Sequence, residues 1–314
     1  MKVLISPSSF GACGDEPLRM LEENAIQAII NPYGRKLTEE EVVTLGRECE
    51  GILAGVEPLS AKVFDELPKL RCISRVGAGM QSVDLEAAEA RGIVVWNTPE
   101  GPTQPVAELA VGLAFALLRH IPQAHQNLRE GVWKKEMGSL VTDKRVGIIG
   151  LGRIGRRSAE LFLKLGCDVI AVDPAPDLEW LEHNSVRMVS LQELLGMSDI
   201  VVLHLSVDVG SPPIISETEL RQMKKGAYLL NLARGEAIDE IALFNALTDG
   251  TIAGAALDVF SEEPYEGDLR TLENVVLTPH LGSYAREARL KMEVDAVENL
   301  LKELKGWSSG VEVN

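Results

Sequence analysis

The sequence predicts an α/β protein of two domains, each built on a parallel sheet with helices on both faces. Short apolar runs alternate with helical patterns over nearly the whole chain, which is the pattern that such sheets produce. At 314 residues the chain exceeds what one hydrophobic core usually holds, roughly 250–300 residues. A glycine-rich segment at residues 150–155 also opens a second series of strands after a first series has been completed.

The first domain is predicted from the elements of residues 1–97. Its strands correspond to apolar runs and its helices to the patterns between them: the runs are Lys2–Ser6, Gly51–Ala54, Arg71–Val76 and Ile93–Trp96, and the helical segments are Leu18–Ile29, Thr38–Glu48, Ser60–Leu67 and Val83–Arg91. The amphipathic segment Ala285–Leu304 is expected to return to this domain. The sequence therefore predicts a smaller, flavodoxin-like parallel-sheet domain of residues 1–97 and 284–314.

The second domain is predicted from residues 98–283. A proline-rich hinge, Thr98–Pro105, precedes a helix from Val106 to Leu118 that is apolar almost all round. A helix of this kind must be buried, either between domains or in a subunit interface. Helices such as Asp239–Leu247 separate the later strand candidates, which are Val186–Val189, Ile200–Leu205, Ala227–Leu232, Ile252–Leu257 and Val275–Thr278. Together these elements predict a doubly wound sheet.

The centre of that sheet is predicted to be a strand, a glycine-rich turn, a helix and a second strand. Arg145–Ile149 is an apolar run, and Gly150-Leu-Gly152-Arg-Ile-Gly155 follows at once. A helix from Arg153 to Leu165 and the strand Cys167–Val172 come next. In a Rossmann fold the first glycine permits the tight turn, the second lets the backbone approach a pyrophosphate, and the third lets helix pack on strand. The free N–H groups of the helix then bind the diphosphate.

Asp173, which ends the second strand, predicts the choice of cofactor. An acid at this position accepts hydrogen bonds from the ribose hydroxyls and repels a 2′-phosphate. The residues after it, Pro174-Ala175-Pro176, supply no cation for such a phosphate. A GxGxxG without context is weak evidence, but here both flanking strands and the acid are present. The motif therefore predicts binding of NAD in preference to NADP.

Three segments after this motif lie where predicted strands end, and each contains a residue suited to hydride-transfer chemistry. Ligands of open α/β sheets lie outside the carboxyl ends of the strands, so these segments can converge on the nicotinamide. His280 suits a proton donor and Arg234 suits a clamp for a substrate carboxylate. Glu263 can orient the imidazole and favour its protonated form. Taken singly, each could be an ordinary loop or turn residue; their shared placement favours catalysis.

Composition and charge argue against several classes of partner. A formal net charge of −16 disfavours nucleic acid and acidic membranes, and the most apolar window, Val106–Leu118, is too short to span a bilayer. The N-terminus shows no leader pattern, so we expect a cytoplasmic protein. The cysteines are scattered without metal-ligand spacing, which predicts reduced thiols and no metal site: they are Cys13, Cys49, Cys72 and Cys167.

A series of short motifs runs through the chain in a fixed order. They are Arg75-Val-Gly-Ala-Gly79 with Val83-Asp84-Leu85, Asn97-Thr-Pro-Glu-Gly101 with Ala107-Glu108-Leu109, Gly150–Gly155, Ala233-Arg-Gly235 with Asp239-Glu240, Gly254–Phe260 with Glu262-Glu-Pro264, and Pro279-His-Leu-Gly282. With these motifs the chain resembles the D-isomer-specific 2-hydroxyacid dehydrogenases over nearly its whole length. Within that family it looks most like the members that act on phosphoglycerate.

The resemblance implies roles for individual residues. Arg234, Glu263 and His280 would form the catalytic triad, and the protein would be a cytoplasmic homodimer built through the helix that starts near Val106. Asp258 would lie near the nicotinamide carboxamide. The full cofactor set would be Gly150, Gly152, Arg153, Ile154, Gly155, Asp173, Ala233, Asp258 and His280, and the substrate set would be Arg75, Gly77, Ala78, Gly79 and Arg234.

Departures from the family pattern leave the substrate open. Gln81-Ser82 stand where members usually carry Asp-Asn, and Ala54-Gly55 stand where some phosphoglycerate enzymes have an arginine for the phosphate. Arg75 is a candidate phosphate ligand, or equally a mere surface residue. The first expectation is an NAD-dependent dehydrogenase of 3-phospho-D-glycerate. The alternatives are a reductase of glyoxylate, hydroxypyruvate or another D-2-hydroxyacid partner, and, from a different class, an NAD(H)-sensing corepressor-like binding module.

Overall fold

A computed structural model describes residues 1–207 and 210–306 of the protein. The chain divides into two compact units, which we call unit 1, Met1–Pro102 with Ser283–Asn314, and unit 2, Thr103–Gly282. The sequence had placed these boundaries at 97/98 and 283/284. Both units are parallel α/β sheets, which confirms the predicted fold class.

Unit 1 contains a five-stranded parallel sheet. Its strands are β1 (Lys2–Ile5), β2 (Gln27–Ile30), β3 (Gly51–Ala54), β4 (Cys72–Arg75) and β5 (Val94–Trp96), and its first helices are α1 (Glu16–Glu23), α2 (Glu39–Gly46), α3 (Ala61–Asp65) and α4 (Leu85–Ala90). The strand order is β2-β1-β3-β4-β5. Because all five strands run in parallel, their carboxyl ends meet at one edge of the sheet.

The predicted helix Leu18–Ile29 is wrong over its second half. Helix α1 ends at Glu23, and β2 follows as an edge strand. Ala25 adopts a φ of 55°, a left-handed turn that separates the helix from the strand. The isoleucines of this segment fall at a spacing that fits a helix as well as a strand, so hydrophobic periodicity could not distinguish the two.

Unit 2 contains a seven-stranded parallel sheet. Its helices are α5 (Thr103–Leu118), α6 (Ile121–Arg129), α7 (Arg153–Lys164), α8 (Leu178–His183), α9 (Leu191–Met197), α10 (Glu217–Gln222) and α11 (Glu240–Thr248), with short 3₁₀ helices at Gly235–Ala237 and Asp268–Thr271. Its strands are β6 (Arg145–Ile149), β7 (Asp168–Val172), β8 (Val186–Met188), β9 (Ile200–Leu203), β10 (Tyr228–Asn231), β11 (Gly254–Leu257) and β12 (Val275–Leu277).

The strand order of unit 2 is β12-β11-β10-β9-β6-β7-β8, which is a doubly wound Rossmann sheet. The order reverses between β6 and β9, and ligands of such sheets bind outside the carboxyl ends of the strands at this switch point. Several helices begin at polar caps that the sequence provides; Ser190 and Ser216, for example, each form a reciprocal capping box with a glutamate three residues later.

Helix α5 is buried mainly in the core of its own unit. Leu113, Leu117 and Leu118 belong to a hydrophobic cluster with residues of β6, β7 and α7. The apolar circumference of the helix is therefore explained in part by its own domain. A remaining stripe, which includes Glu108 and Phe115, is exposed or half-buried. Leu113 itself is only 3% exposed and does not lie on that stripe.

The last helix, α12 (Arg286–Lys305), packs against β3 and β4 and closes the sheet of unit 1. Its predicted range, Ala285–Leu304, agrees within one residue at each end. No single helix in residues 1–207 and 210–306 is long and apolar enough to cross a membrane. One bent pair, α5 with α6 at 60°, passes the same test of length and composition when its two helices are taken together.

Candidate active site

The glycine-rich turn joins β6 to α7 at the switch point of unit 2. Gly150 has a φ of +94°, and a Cβ atom there would lie 2.7 Å from the carbonyl of His204. A Cβ atom on Gly155 would overlap the carbonyl oxygen of Gly150. Gly152, in contrast, faces open space, with no described atom within 4 Å of a Cβ placed there. The turn is therefore tight at its first and third glycines and accessible at its second, which suits an approaching pyrophosphate.

Asp173 lies against this turn at the end of β7. Its Oδ2 accepts a hydrogen bond of 2.6 Å from the N–H of Leu151, and its Oδ1 accepts one of 2.8 Å from Ala175. These bonds fix the carboxylate beside the glycine turn, where an adenosine ribose lies in Rossmann domains. The geometry therefore fits the predicted role of Asp173.

Arg234 follows β10 on a turn that its neighbours hold rigidly. The amide of Asn231, 1% exposed, donates to the carbonyl of Arg234 at 2.8 Å and accepts from the N–H of Ala233 at 3.1 Å. Gly235 packs so closely on the backbone of Phe260 that a Cβ atom there would overlap it. The guanidinium is half-buried and donates to the carbonyl of Ala233 at 2.7 Å. The backbone of the predicted clamp is thus fixed.

Glu263 and His280 are brought together from two different strand ends. Nδ1 of His280 lies 3.0 Å from Oε2 and 3.1 Å from Oε1 of Glu263. The N–H of Phe260 donates to Glu263 at 3.2 Å and helps to fix the carboxylate. His280 has a φ of +53°, a left-handed conformation that is uncommon outside glycine. Since Nδ1 faces the carboxylate, Nε2 is the nitrogen left for a reacting group.

Asp258 anchors the loop that carries His280. The carboxylate is 2% exposed and accepts hydrogen bonds from the Thr278 hydroxyl at 2.6 Å, from the Leu281 N–H at 2.7 Å and from the Gly282 N–H at 2.8 Å. A buried carboxylate with three donors holds both ends of a short loop firmly. The predicted place of Asp258 near the nicotinamide stays a prediction; its observed contacts are with the loop.

The substrate residues expected from the sequence lie in unit 1, on the loop after β4. The N–H of Gly77 donates to the Thr98 hydroxyl at 2.7 Å, and the carbonyl of Ala78 accepts from the Asn97 amide at 2.8 Å. The N–H groups of Ala78 and Gly79 have no partner among the residues that the structure describes. Of the three backbone amides in the predicted substrate segment Gly77–Gly79, the Gly77 amide is therefore already paired, and those of Ala78 and Gly79 are open among the described residues.

Arg75 extends along this same loop. Its Nη1 donates to the carbonyl of Val76 at 3.2 Å, and the guanidinium covers the position that a side chain on Gly77 would occupy. The arginine is half-buried. These contacts show a support of the loop; a phosphate contact by the same group stays a prediction.

Comparison with known proteins assigns the family. The sequence profile described as "D-isomer specific 2-hydroxyacid dehydrogenase, NAD binding domain" matches residues 111–282, more than half of the chain. The chain belongs to the D-isomer specific 2-hydroxyacid dehydrogenase family. The profile is that of the NAD-binding domain, so the predicted cofactor is confirmed, and the open turn at Gly152 and the carboxylate of Asp173 fit this dinucleotide.

Relatives and solved structures agree with this assignment. D-3-phosphoglycerate dehydrogenase of Homo sapiens is 36% identical over 317 residues, which cover 100% of this chain and 58% of that protein. The chain thus spans a little over half the length of the curated relatives it matches. The TT0316 protein of Thermus thermophilus superposes with a TM-score of 0.89 at 33% identity and full coverage of both chains. A glyoxylate reductase from Paecilomyes thermophila gives 0.84 at 28% identity, covering 98% and 96%.

Three polar residues at strand ends of this dehydrogenase-family chain were not predicted as functional. Asn231 shapes the Arg234 turn, and Thr98 holds the loop after β4. His204 follows β9 directly, and its Nε2 lies 2.7 Å from the Ser158 hydroxyl of α7. Burial lowers the pKa of His204 to about 3, so its imidazole is neutral at physiological pH. Of the three, His204 could have been found from the sequence, because it is a polar residue directly after the buried strand β9.

A cavity of about 610 Å³ borders the Glu263–His280 pair in unit 2. Its walls are mainly apolar and include Phe260, Tyr265 and Leu277. The rings of Phe260 and Tyr265 stack with their centroids 4.3 Å apart. The pair is therefore bordered on one side by an apolar space, although both of its side chains are partly exposed.

Proposed function

We propose that the protein is an NAD-dependent dehydrogenase that interconverts a D-2-hydroxyacid and its 2-ketoacid. The observation that carries this proposal is the contact of the Glu263 carboxylate with Nδ1 of His280, at a strand end of an NAD-binding domain. A carboxylate in that position fixes the ring and stabilises its protonated form. Family membership supports the same chemistry.

The residues divide the work as follows. His280 would give a proton from Nε2 to the carbonyl oxygen during reduction and take it back during oxidation. Arg234 would hold the substrate carboxylate through its planar guanidinium. Glu263 would stabilise the imidazolium, and Asp258 would keep the loop of His280 in place. Bound NAD(H) supplies or accepts the hydride.

Turnover of a panel of 2-ketoacids with NADH tests the reaction class. Replacing His280 with Ala should reduce turnover by roughly 10²–10⁴ and leave NADH binding nearly intact, because the imidazole acts in proton transfer. His183→Ala is the matched control, since His183 is exposed on α8 and its Nδ1 lies 2.8 Å from the Glu179 carbonyl of the same helix. Near-full activity of the His280 variant would contradict the assignment. NADH binding without any turnover by the wild-type protein would favour a corepressor-like NAD(H) sensor.

For the substrate we propose 3-phospho-D-glycerate, whose oxidation is of the serine-biosynthesis type. The human relative of that name, which matches the whole chain, supports this choice. The guanidinium of Arg75, the last residue of β4, supplies a candidate phosphate contact. Arg75→Ala should then weaken binding of a phosphorylated acid roughly tenfold to a hundredfold more than that of its unphosphorylated analogue. An equal loss for both would show that Arg75 acts only as a loop support.

A second candidate is an unphosphorylated acid such as glyoxylate or hydroxypyruvate, and Glu57 favours it. This carboxylate is 2% exposed and lies just after β3, folded against the Ser6 hydroxyl and the N–H of Gly55, which donates to it at 3.0 Å. A buried carboxyl group beside the position where some phosphoglycerate enzymes have an arginine disfavours a phosphate there. The ratio of kcat/KM for phosphohydroxypyruvate and hydroxypyruvate decides between the candidates.

We further propose a cytoplasmic homodimer. The segment from Ile121 to Leu140 carries six exposed apolar side chains, which we call the apolar arm: Ile121, Leu128, Val132, Trp133, Met137 and Leu140. A set of exposed apolar residues of this size is typical of an interaction surface. The four cysteines are free thiols, which suits a reducing compartment. Fractionation of cells that express the native gene would test the location.

A further inference from the structure

The loop Gly77–Gly79 is shaped by two residues at the end of β5. The Thr98 hydroxyl accepts from the Gly77 N–H at 2.7 Å, and the Thr98 N–H donates to the Gly77 carbonyl at 3.1 Å. The Asn97 amide donates to the Ala78 carbonyl at 2.8 Å. These bonds occupy three polar backbone groups of the loop and leave the N–H groups of Ala78 and Gly79 as its open donors among the described residues.

Thr98 can hold the loop because its hydroxyl both accepts and donates. Besides accepting from Gly77, it makes a long contact of 3.5 Å, as donor, with the Arg75 carbonyl. The residue is 2% exposed, so water cannot replace these bonds. Only serine and threonine offer this combination in so small a volume. A valine of the same shape would leave the buried N–H of Gly77 unpaired.

The position is supported on both sides. The guanidinium of Arg75 covers the α-carbon of Gly77, whose φ of +133° is rarely adopted by residues with a side chain. Asn299 of α12 donates to the Asn97 carbonyl at 3.3 Å and ties Asn97 to the last helix. The two open amides therefore belong to a rigid loop, and two adjacent backbone N–H groups on such a loop form a site for an anion.

We propose that Thr98 and Asn97 are positioning residues that hold the Ala78 and Gly79 amides in register for the carboxylate of the 2-ketoacid. This inference rests on the proposed function. A carboxylate is bound in the ground state and in the transition state alike. Loss of the hydrogen bonds from Thr98 or Asn97 to the loop therefore raises KM and the dissociation constant of carboxylate inhibitors. Binding of NADH, which depends on unit 2, stays unchanged.

Oxalate, a dicarboxylate analogue of a 2-ketoacid, is the probe. Its dissociation constant is measured by calorimetry in the presence of saturating NADH, for the wild-type protein and for Thr98→Val, Thr98→Ser and Asn97→Ala. We expect a rise of roughly tenfold or more for Thr98→Val, at least roughly threefold for Asn97→Ala, and less than about twofold for Thr98→Ser. NADH affinity is measured in parallel and should be equal in all four proteins.

Ser74→Ala is the matched control. The Ser74 hydroxyl is buried on β4, just before the loop, and has no partner among the described residues. Its removal deletes a hydroxyl from the same core without breaking a bond of the loop, so oxalate should bind as it does to the wild-type protein. If Thr98→Val does not fold, as shown by its circular dichroism, the half-buried Asn97 variant and the Ser74 control decide the matter.

The outcomes separate this proposal from the proposed function. Three results would refute the positioning role of Thr98 and Asn97. They are unchanged oxalate binding in folded Thr98→Val, an equal loss of binding in Ser74→Ala, and no oxalate binding by the wild-type protein. If the wild-type protein reduces 2-ketoacids but one of these results is found, the proposed dehydrogenase function stands and the positioning role of Thr98 and Asn97 is wrong. If the wild-type protein shows no turnover but oxalate binding follows the expected order among the variants, the positioning role stands and the proposed dehydrogenase function is wrong.

Discussion

At the residue scale, the two nitrogens of one imidazole have different tasks. Nδ1 of His280 is held by Glu263 at 3.0 Å, and Nε2 is bonded to no described residue. The distribution of bonds therefore fixes the ring while it leaves one nitrogen for the substrate. The left-handed backbone of His280 and the anchoring of its loop by Asp258 serve the same end, since both limit where that nitrogen can lie.

Replacing Glu263 with Gln tests this arrangement. The amide can still hydrogen-bond the ring but no longer carries the charge that stabilises an imidazolium. Reduction needs the protonated ring, so the pH profile of kcat/KM for reduction should shift to lower pH. Glu262→Gln, which changes the exposed neighbouring side chain, is the control. Coincident profiles of the wild-type protein and Glu263→Gln would mean that another group supplies the proton.

His204 makes a second prediction, about acid stability. Burial lowers its pKa to about 3 in the folded protein, whereas a histidine in an unfolded chain titrates near 6.5. The unfolded chain therefore binds more protons below pH 6.5, and the free energy of unfolding should fall as the pH decreases from 6.5 toward 3. His204→Gln should flatten this decline by up to about 1.4 kcal/mol per pH unit.

Urea unfolding at pH 7, 6 and 5 measures the effect. The control is His183→Gln, because His183 is exposed and its replacement should leave the decline unchanged. If the wild-type protein and His204→Gln lose stability in parallel, burial of His204 is not the cause of the acid sensitivity.

Residues with distinctive chemistry were predictable and buried polar supports were not. Arg234, Glu263 and His280 could be named because each is a charged or titratable residue after an apolar run. Thr98 acts through a hydrogen bond to the backbone of another loop, which depends on a tertiary contact. Asn231 instead bonds locally to Ala233 and Arg234, two and three residues later. No spacing in the sequence shows that Thr98 meets Gly77, which lies 21 residues earlier.

At the scale of elements, the unit β6–turn–α7–β7 was predicted nearly to the residue, and β2 was missed. The first has glycines whose conformations are required, buried strands and an acid that confirms the pattern. The second is a four-residue edge strand, and its isoleucines continue the helical spacing of α1. Short edge strands are decided by pairing with a neighbour, and that information is not local.

Asp173 carries the prediction at this scale. Its carboxylate is held beside the turn by Leu151 and should select the ribose hydroxyls of NAD. The wild-type protein should therefore prefer NADH strongly over NADPH. Asp173→Ser should reduce the ratio of kcat/KM for NADH to kcat/KM for NADPH at least about tenfold. Asp168→Ser is the control, since Asp168 begins the same strand at its other end. A wild-type preference for NADPH, or equal ratios in all three proteins, would show that Asp173 does not set the choice.

At the scale of the whole molecule, the sequence predicts a dimer formed through α5, whereas we propose one formed through the apolar arm. Helix α5 was expected to be buried in an interface, yet half of its residues pack in the core of unit 2. The apolar arm beyond it is different. Trp133 is 81% exposed and Met137 is 95% exposed, and neither is covered by the described chain. A second copy that covers the arm would bury both by two-fold symmetry.

Light scattering at micromolar concentration should therefore show a dimer, and Trp133→Glu combined with Met137→Glu should convert it to a folded monomer, because a charge placed in an apolar interface loses its hydration. Ile241→Glu controls for the added charge, since Ile241 is 77% exposed on α11, outside the arm.

Leu113→Glu should behave differently from both the double variant and this control. Leu113 lies in the core of its own unit, so a charge there should lower the melting temperature and not produce a stable monomer. A wild-type monomer would contradict the assembly, and a dimer that survives the double change would place the interface elsewhere on unit 2 or on unit 1.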